Sequence, residues 1–350
     1  MVEVTSESAG RANVACRTPS ARPSTLHDVA ARVGVSPRTV SRVVNDEGGF
    51  SAATRKRVLA AIEELEYLPN LVARGLVTQR TRTLGLVVTD ICDPFFAEVA
   101  SGAQRAATAN RHNVFLCTTH NEADQQAEVL ASLRSHGIDG TIVFPVPGTE
   151  NELRRVATDV PIVCVDHEVD DPRIGTVSSD LVEGARQAVA HLVERGHRRL
   201  AMVASKFSPT HRRRREAGFL GACRELLGDG PEPIVLREEP TLEGGRRAAA
   251  AILDSDPSIT AIFAYNDIVA IGAVSAAKDC GLDVPGDLAV VGFDDIPLAG
   301  FFSPQLTTVR IDRERLGGAA VDMVLKMRDE QASHPDPAIL PVELVVRRST

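Results

Sequence analysis

The sequence predicts an α/β fold in two parts, a small helical module followed by two doubly wound parallel sheets. Three observations predict it. The chain has 350 residues, 43% hydrophobic and 25% charged, which is room for two or three ordinary globular domains. At about Thr83 the apolar pattern changes from helical spacing to short apolar runs that alternate with amphipathic helices. The charge changes at the same place. Ser24 to Arg82 holds nine Lys/Arg against six Asp/Glu, a net of +3, whereas residues 83–350 hold 27 against 39, a net of −12. A basic module leading an acidic body is the asymmetry of a chain that meets a polyanion at one end.

Residues 1–23, rich in Ser, Ala, Arg and Pro, predict a disordered extension. Thr25 and Asp28 form a capping box before LHDVAARV, where Leu26, Val29, Ala30 and Val33 share one helical face, and Gly34 ends that helix. Ser36 caps a second helix, whose first residue, Pro37, has no N–H to lose and a φ already suited to a helix. Val35, Val40, Val43 and Val44 turn inward, which leaves Arg38, Thr39, Ser41 and Arg42 outside or on the flanks. Two short helices around a glycine turn are a helix-turn-helix, and Arg38 and Arg42, four apart, can reach a guanine edge or a phosphate. Ser51 caps a third helix that exposes Arg55, Lys56 and Arg57, and its Val58, Leu59, Ile62 and Leu65 are expected to close the core.

Beyond Thr83, TLGLVVTD, NVFLCTT, GTIVFP and PIVCVD read as buried strands, with helices near 95–111, 123–136 and 150–158. RLAMVAS, PIVLRE, TAIFAYN and LAVVGFDD repeat the pattern, with helices near 181–195, 211–227, 243–254 and 267–281. Two such arrays imply two sheets, and ligands bind beyond the carboxyl ends of their strands. Polar residues gather there: Asp90 and Asp93 after the first strand, with Phe95 and Phe96 opening the next helix; then Asp166, Asn266, Asp267, Asp294 and Asp295. Their oxygens accept from hydroxyls, and phenylalanine offers an apolar face to a sugar ring or base. Asp295 reads as a cap at a strand–helix turn.

Other classes are excluded by what is missing. No G-x-G-x-x-G follows a strand, and there is no phosphate loop, no G-x-S-x-G and no His/Cys cluster, so neither an enzyme nor a metal or cofactor site is expected. The six cysteines fall singly and form no C-x-x-C pair. No apolar stretch reaches the roughly 20 residues of a membrane span, and the N-terminus lacks the core of a secretory signal, so a cytoplasmic protein is expected. A transport-type sugar-binding protein would share the core, but it would not carry the helical module.

TLHDVAARVGVSPRTVSRVVN, followed by SAATRKRVLAAIEELEYLPN and LVARGL, resembles the DNA-binding headpiece and hinge of the lactose-repressor (LacI) family of bacterial transcription regulators. The similarity continues through the rest of the chain. It implies a three-helix headpiece (24–69), a hinge helix and linker (70–82) and a periplasmic-binding-protein-like core (83–350). The core's first subdomain would take 83–178 and 310–335, and its second 179–309 and 336–350. The resemblance places Pro37, Arg38 and Arg42 on bases, and Thr25, Ser36, Thr39, Ser41 and Asn45 also against DNA. Asn70, Ala73 and Arg74 of the hinge would join them, with Leu76 as the wedge levered into the minor groove. It places Arg215, within THRRRREAGF, in the effector pocket with Asp93, Phe95, Phe96, Asp166, Asn266 and Asp294. The implied partners are pseudo-palindromic double-stranded operator DNA, a carbohydrate effector and a second copy of the chain, with no membrane. Two positions depart from the family pattern: Pro240 or Thr241 stands where an aromatic often covers the sugar, and Ile311 replaces a frequent pocket glutamine.

Overall fold

The computed structural model describes residues 24–45, 47–67, 80–207, 214–228, 230–330 and 336–350, and of Asn45 only the backbone. The chain divides into two compact units, Met1–Arg74 and Gly75–Thr350. The expected N-terminal extension and the hinge residues Asn70, Ala73, Arg74 and Leu76 lie outside the described residues.

The first unit contains α1 (Leu26–Val33), α2 (Pro37–Asn45) and α3 (Ala52–Glu64). Each start is set by a side chain that accepts from an N–H the helix leaves unpaired. Thr25 and Asp28 form the reciprocal capping box of α1. Ser36 Oγ accepts from the Thr39 amide at 3.1 Å, and Ser51 Oγ accepts from the Thr54 amide at 3.1 Å. Gly34 ends α1 at φ +71°, a left-handed conformation that costs glycine nothing. Val29, Ala30, Val33, Val40, Val43, Val58, Ala61 and Tyr67 form the core. Leu59 departs from expectation: it is 47% exposed, because it lies one residue, about 100° of helix, away from the face that carries Val58, Ala61 and Ile62. Ala61 and Tyr67 take the place expected of it.

The second unit holds two six-stranded sheets. The first is built from β1 (Thr83–Val88), β2 (Asn113–Thr118), β3 (Gly140–Val143), β4 (Ile162–Val165), β5 (Ile174–Ser179) and β11 (Ala338–Leu340), in the order β11-β5-β4-β3-β1-β2. The second holds β6 (Leu200–Ser205), β7 (Ile234–Glu238), β8 (Ala261–Ala264), β9 (Ala289–Asp294), β10 (Thr307–Arg310) and β12 (Glu343–Val345), in the order β12-β10-β9-β8-β6-β7. Every pairing is parallel except β10 with β12. In each sheet the order reverses beside the first strand, so β1/β3 and β6/β8 are the switch points where a crevice opens.

The helices of the first sheet are α4 (Pro94–Ala109), α5 (Ala123–Ser135) and α6 (Glu150–Val156). Those of the second are α7 (Leu181–Glu194), α8 (Arg214–Leu227), α9 (Leu242–Ser255), α10 (Asp267–Asp279) and the short α11 (Pro297–Phe301). The long α12 (Arg313–Glu330) packs on α4 so closely that Gly317 has room only for hydrogen against the Val99 carbonyl, as has Gly102 against Glu314. Because β11 pairs with β5, the last crossing between sheets falls after Leu340 and not at 336 as the sequence suggested. The four strands that periodicity missed, β5, β10, β11 and β12, are short or rich in Gly, Ser and Thr.

Candidate functional site

In the helical unit Arg38 is exposed on α2, with Pro37 half-buried at the first helical position. Arg42 is half-buried, its guanidinium lying over Gly49, where a Cβ would collide with it. The hydroxyls of Thr25 and Ser36 hold helix starts. Thr25 Oγ1 donates to Asp28 at 2.6 Å, and Ser36 Oγ lies 2.9 Å from Thr39 Oγ1. Ser41 of α2 is half-buried. Of the three basic residues of α3, Arg57 donates to the Val33 carbonyl and so closes the end of α1.

In the larger unit, a cavity of about 170 Å³ opens off the carboxyl ends of both sheets. Asp93, Phe95, Phe96, Asp166, Arg215, Asn266 and Asp294 all line it. Its centre is Arg215, which is 8% exposed. Arg215 Nη1 donates to the Tyr265 carbonyl at 2.5 Å and Nη2 donates to Asp294 Oδ1 at 3.2 Å, while Nε is buried without a partner. The guanidinium lies over the rings of Tyr265 and Phe293, with its carbon 4.6 and 4.2 Å from their centroids.

Each carboxylate is set by its backbone. Asp93 caps α4 through the Phe95 amide at 3.0 Å, and Asn266 caps α10 through the Val269 amide at 2.9 Å. The second oxygen of Asp93 accepts from Asn266 Nδ2 at 3.3 Å, a bond that ties the first sheet's loops to the second's. Asp166 and Asp294 adopt positive φ, +52° and +105°, at the ends of their strands. Asp166 Oδ1 accepts from the Ser179 amide at 2.7 Å. Burial raises the carboxyls of Asp294, Asp166 and Asp93, for Asp294 against the pull of Arg215. Burial works to lower Arg215, but Asp294 and its other neighbours outweigh it and hold the guanidinium above its ordinary value. Phe95, Phe96 and Phe144 meet edge to face, with centroids 5.0 to 6.0 Å apart. One buried fork of donors, three desolvated acids and an aromatic wall give the cavity hydrogen-bond donors, acceptors and an apolar face side by side.

Tyr265, Phe144 and Arg313 were not singled out by sequence. The first two directly follow strands β8 and β3, which was signal enough. Arg313 lies after the second sheet's β10, donates through Nε to Glu98 at 2.8 Å, and donates through Nη1 to the Asp294 carbonyl. Of the two departures, Pro240 lines the cavity, while Thr241 caps α9 and Ile311 is buried in the core. Asp295 is not a cap: Arg310 Nε donates to it at 2.7 Å and Arg347 Nη2 at 2.6 Å.

Residues 25–70 match the family described as bacterial regulatory proteins, lacI family, and 189–350 match the periplasmic binding protein-like domain. The HTH-type transcriptional repressor PurR of Pasteurella multocida (strain Pm70) is 34% identical over 330 residues, which is 93% of this chain and 98% of PurR. The chain belongs to the LacI family. The lac repressor dimer bound to operator and the anti-inducer ONPF superposes with a TM-score of 0.84 at 29% identity, covering 94% of this chain and 99% of that one. The CelR–cellobiose complex matches with a TM-score of 0.71 at 30% identity, covering 94% and 100%. This LacI-family chain is therefore a DNA-binding transcription regulator with a ligand-binding core, and not an enzyme. No described helix is long and apolar enough to cross a membrane.

Proposed function

We propose that the protein is a cytoplasmic repressor. It binds a pseudo-palindromic operator as a homodimer, and a carbohydrate held in the cleft sets its affinity. The observation that carries this reading is the convergence of Arg215, Asp294, Asp166, Asp93 and Asn266, from both sheets, on one cavity. Vicinal hydroxyls both donate and accept, so a sugar would satisfy the unpaired Arg215 Nε and the acid oxygens together. Relatives support the ligand class and the assembly: CelR is solved with cellobiose, and the lac repressor as a dimer on operator. On DNA, Arg38 and Arg42 would read bases, with Pro37, Thr39, Ser41 and Asn45 beside them. The hinge residues Asn70, Ala73, Arg74 and Leu76 would follow the minor groove.

The Phe95, Phe96 and Phe144 wall favours a second reading, a flat heteroaromatic ligand. A mobility-shift assay on the promoter regions of the protein's own and adjacent genes, with a panel of sugars and nucleobases, tests both. A shift altered by a sugar supports the first reading, and one altered only by a base supports the second. Absence of any specific shift overturns the operator reading. Asp294→Asn should abolish the ligand response in the same assay while leaving the DNA shift in place.

A further inference from the structure

We propose that α12 is a strut connecting the ligand cleft to the point where the chain enters the core from the DNA-binding unit, with Arg313 and Arg328 as the positioning residues at its two ends. Arg313 holds the Asp294 carbonyl, directly behind the cleft, and Glu98 on α4. About 22 Å along the same helix, at 1.5 Å per residue, Arg328 Nη1 donates to Asp139 Oδ2 at 3.0 Å. The same guanidinium nitrogen lies 2.5 Å from His112 Nε2, whose Nδ1 lies 2.7 Å from the Asn110 carbonyl oxygen.

Asp139 is buried and serves as an anchor for the entering chain. The Thr81 amide donates to its Oδ1 at 2.8 Å, the Thr81 hydroxyl donates to the same oxygen at 3.1 Å, and the Arg82 amide donates to Oδ2 at 3.1 Å. Arg80 adds an ion pair with Asp329 at 3.6 Å. The residues that lead toward the DNA-binding unit are therefore fastened to the far end of the helix whose near end touches the cleft.

The helix between is held too tightly to bend independently. Gly317 and Gly102 bring the α12 and α4 backbones into contact, and Gly140 and Gly175 of the first sheet receive Val324 and Met323. Close-packed elements of this kind shift as bodies, so a displacement at Arg313 arrives at Arg328. α12 carries a polar clamp at each end, and a change at the near clamp that is felt at the far one is what coupling along it requires.

This inference rests on the reading that cleft occupancy controls DNA binding, but its test uses neither DNA nor effector. The exchange rates of the Thr81 and Arg82 amides, measured in the full chain by hydrogen–deuterium exchange, read the anchor directly. Arg328→Met should raise them about tenfold by removing a local bond. Arg313→Met, which touches nothing at the anchor, should raise them roughly threefold, and the double variant should show no further rise over Arg328→Met alone. Glu98→Gln weakens the near clamp more gently and carries the test if Arg313→Met does not fold. Rates at 81 and 82 that stay at the wild-type value in both near-end variants, or effects that simply add, overturn the strut. That outcome leaves the regulatory reading intact, whereas absent operator binding sinks that reading alone.

Discussion

Arg215 has more donors than the protein gives it acceptors, and the acids around it are buried beyond what one guanidinium neutralises. Arg215 and these acids all line the cavity, so its wall carries polar groups that the protein alone does not fully pair. Behind it, Asp267 is fully buried, accepting from Thr308 Oγ1 at 2.5 Å and from the Ile296 amide at 2.8 Å, and burial pushes its carboxyl up to about 7. The folded chain therefore keeps a proton that the unfolded chain releases near pH 4, and stability falls as pH rises from about 4 to about 7. At about 1.4 kcal/mol per unit the loss reaches ~4 kcal/mol at most. Urea unfolding at pH 5 and pH 8 checks it: Asp267→Asn should flatten the slope, and equal slopes in both proteins would refute the assignment. Burial raises Asp294, Asp166 and Asp93 with the same sign, so the slope should shrink without vanishing. On the helical unit, Arg38→Ala should cost ~1–3 kcal/mol of specific binding and relax base preference at one position per half-site. Mobility shifts on single-base operator variants measure this, and an equal loss on every sequence would leave Arg38 only a phosphate contact.

At the scale of elements, the α4–α12 crossing depends on glycine. A methyl group at Gly317 would collide with the Val99 carbonyl, a backbone atom that cannot rotate away. Gly317→Ala should destabilise the core by ~1–3 kcal/mol, read as a lower urea midpoint at unchanged m-value. The same element shows where reading by sequence ended. The starts of the helices were legible because caps are local: Thr25, Ser36 and Ser51 announce their helices within three residues. So were the seven cavity residues, since strand ends mark a crevice in this architecture and the family resemblance supplied Arg215. α12 was hidden because Gly317, Gly318 and the charged residues around them blur its apolar face, which shows only once α4 lies against it. β5 escaped because its Gly175 and the serines at 178 and 179 are suited to a tightly covered strand and not to a high β-propensity one. Leu59 was misjudged for the opposite reason, since hydrophobicity alone does not say which side of a helix a neighbour covers.

The whole molecule joins a compact helical unit to a core that crosses between its sheets three times, after β5, β10 and β11. Ligand in about 100-fold excess over its Kd should stabilise the core by ~2.7 kcal/mol through mass action and leave the helical unit's own unfolding where it was. Calorimetry would show one shifted transition and one fixed one; a joint shift would mean that the units melt together. The crossings also order events in time. Thr307 donates its amide to Ser349 Oγ, and the Val290 amide donates to the Ser349 carbonyl, so the second sheet closes only when residue 349 has been made. The three helices have every core contact by Tyr67. On the ribosome, the core of the helical unit is therefore complete long before the cleft, whose Arg215, Asn266 and Asp294 come from the second half of the chain.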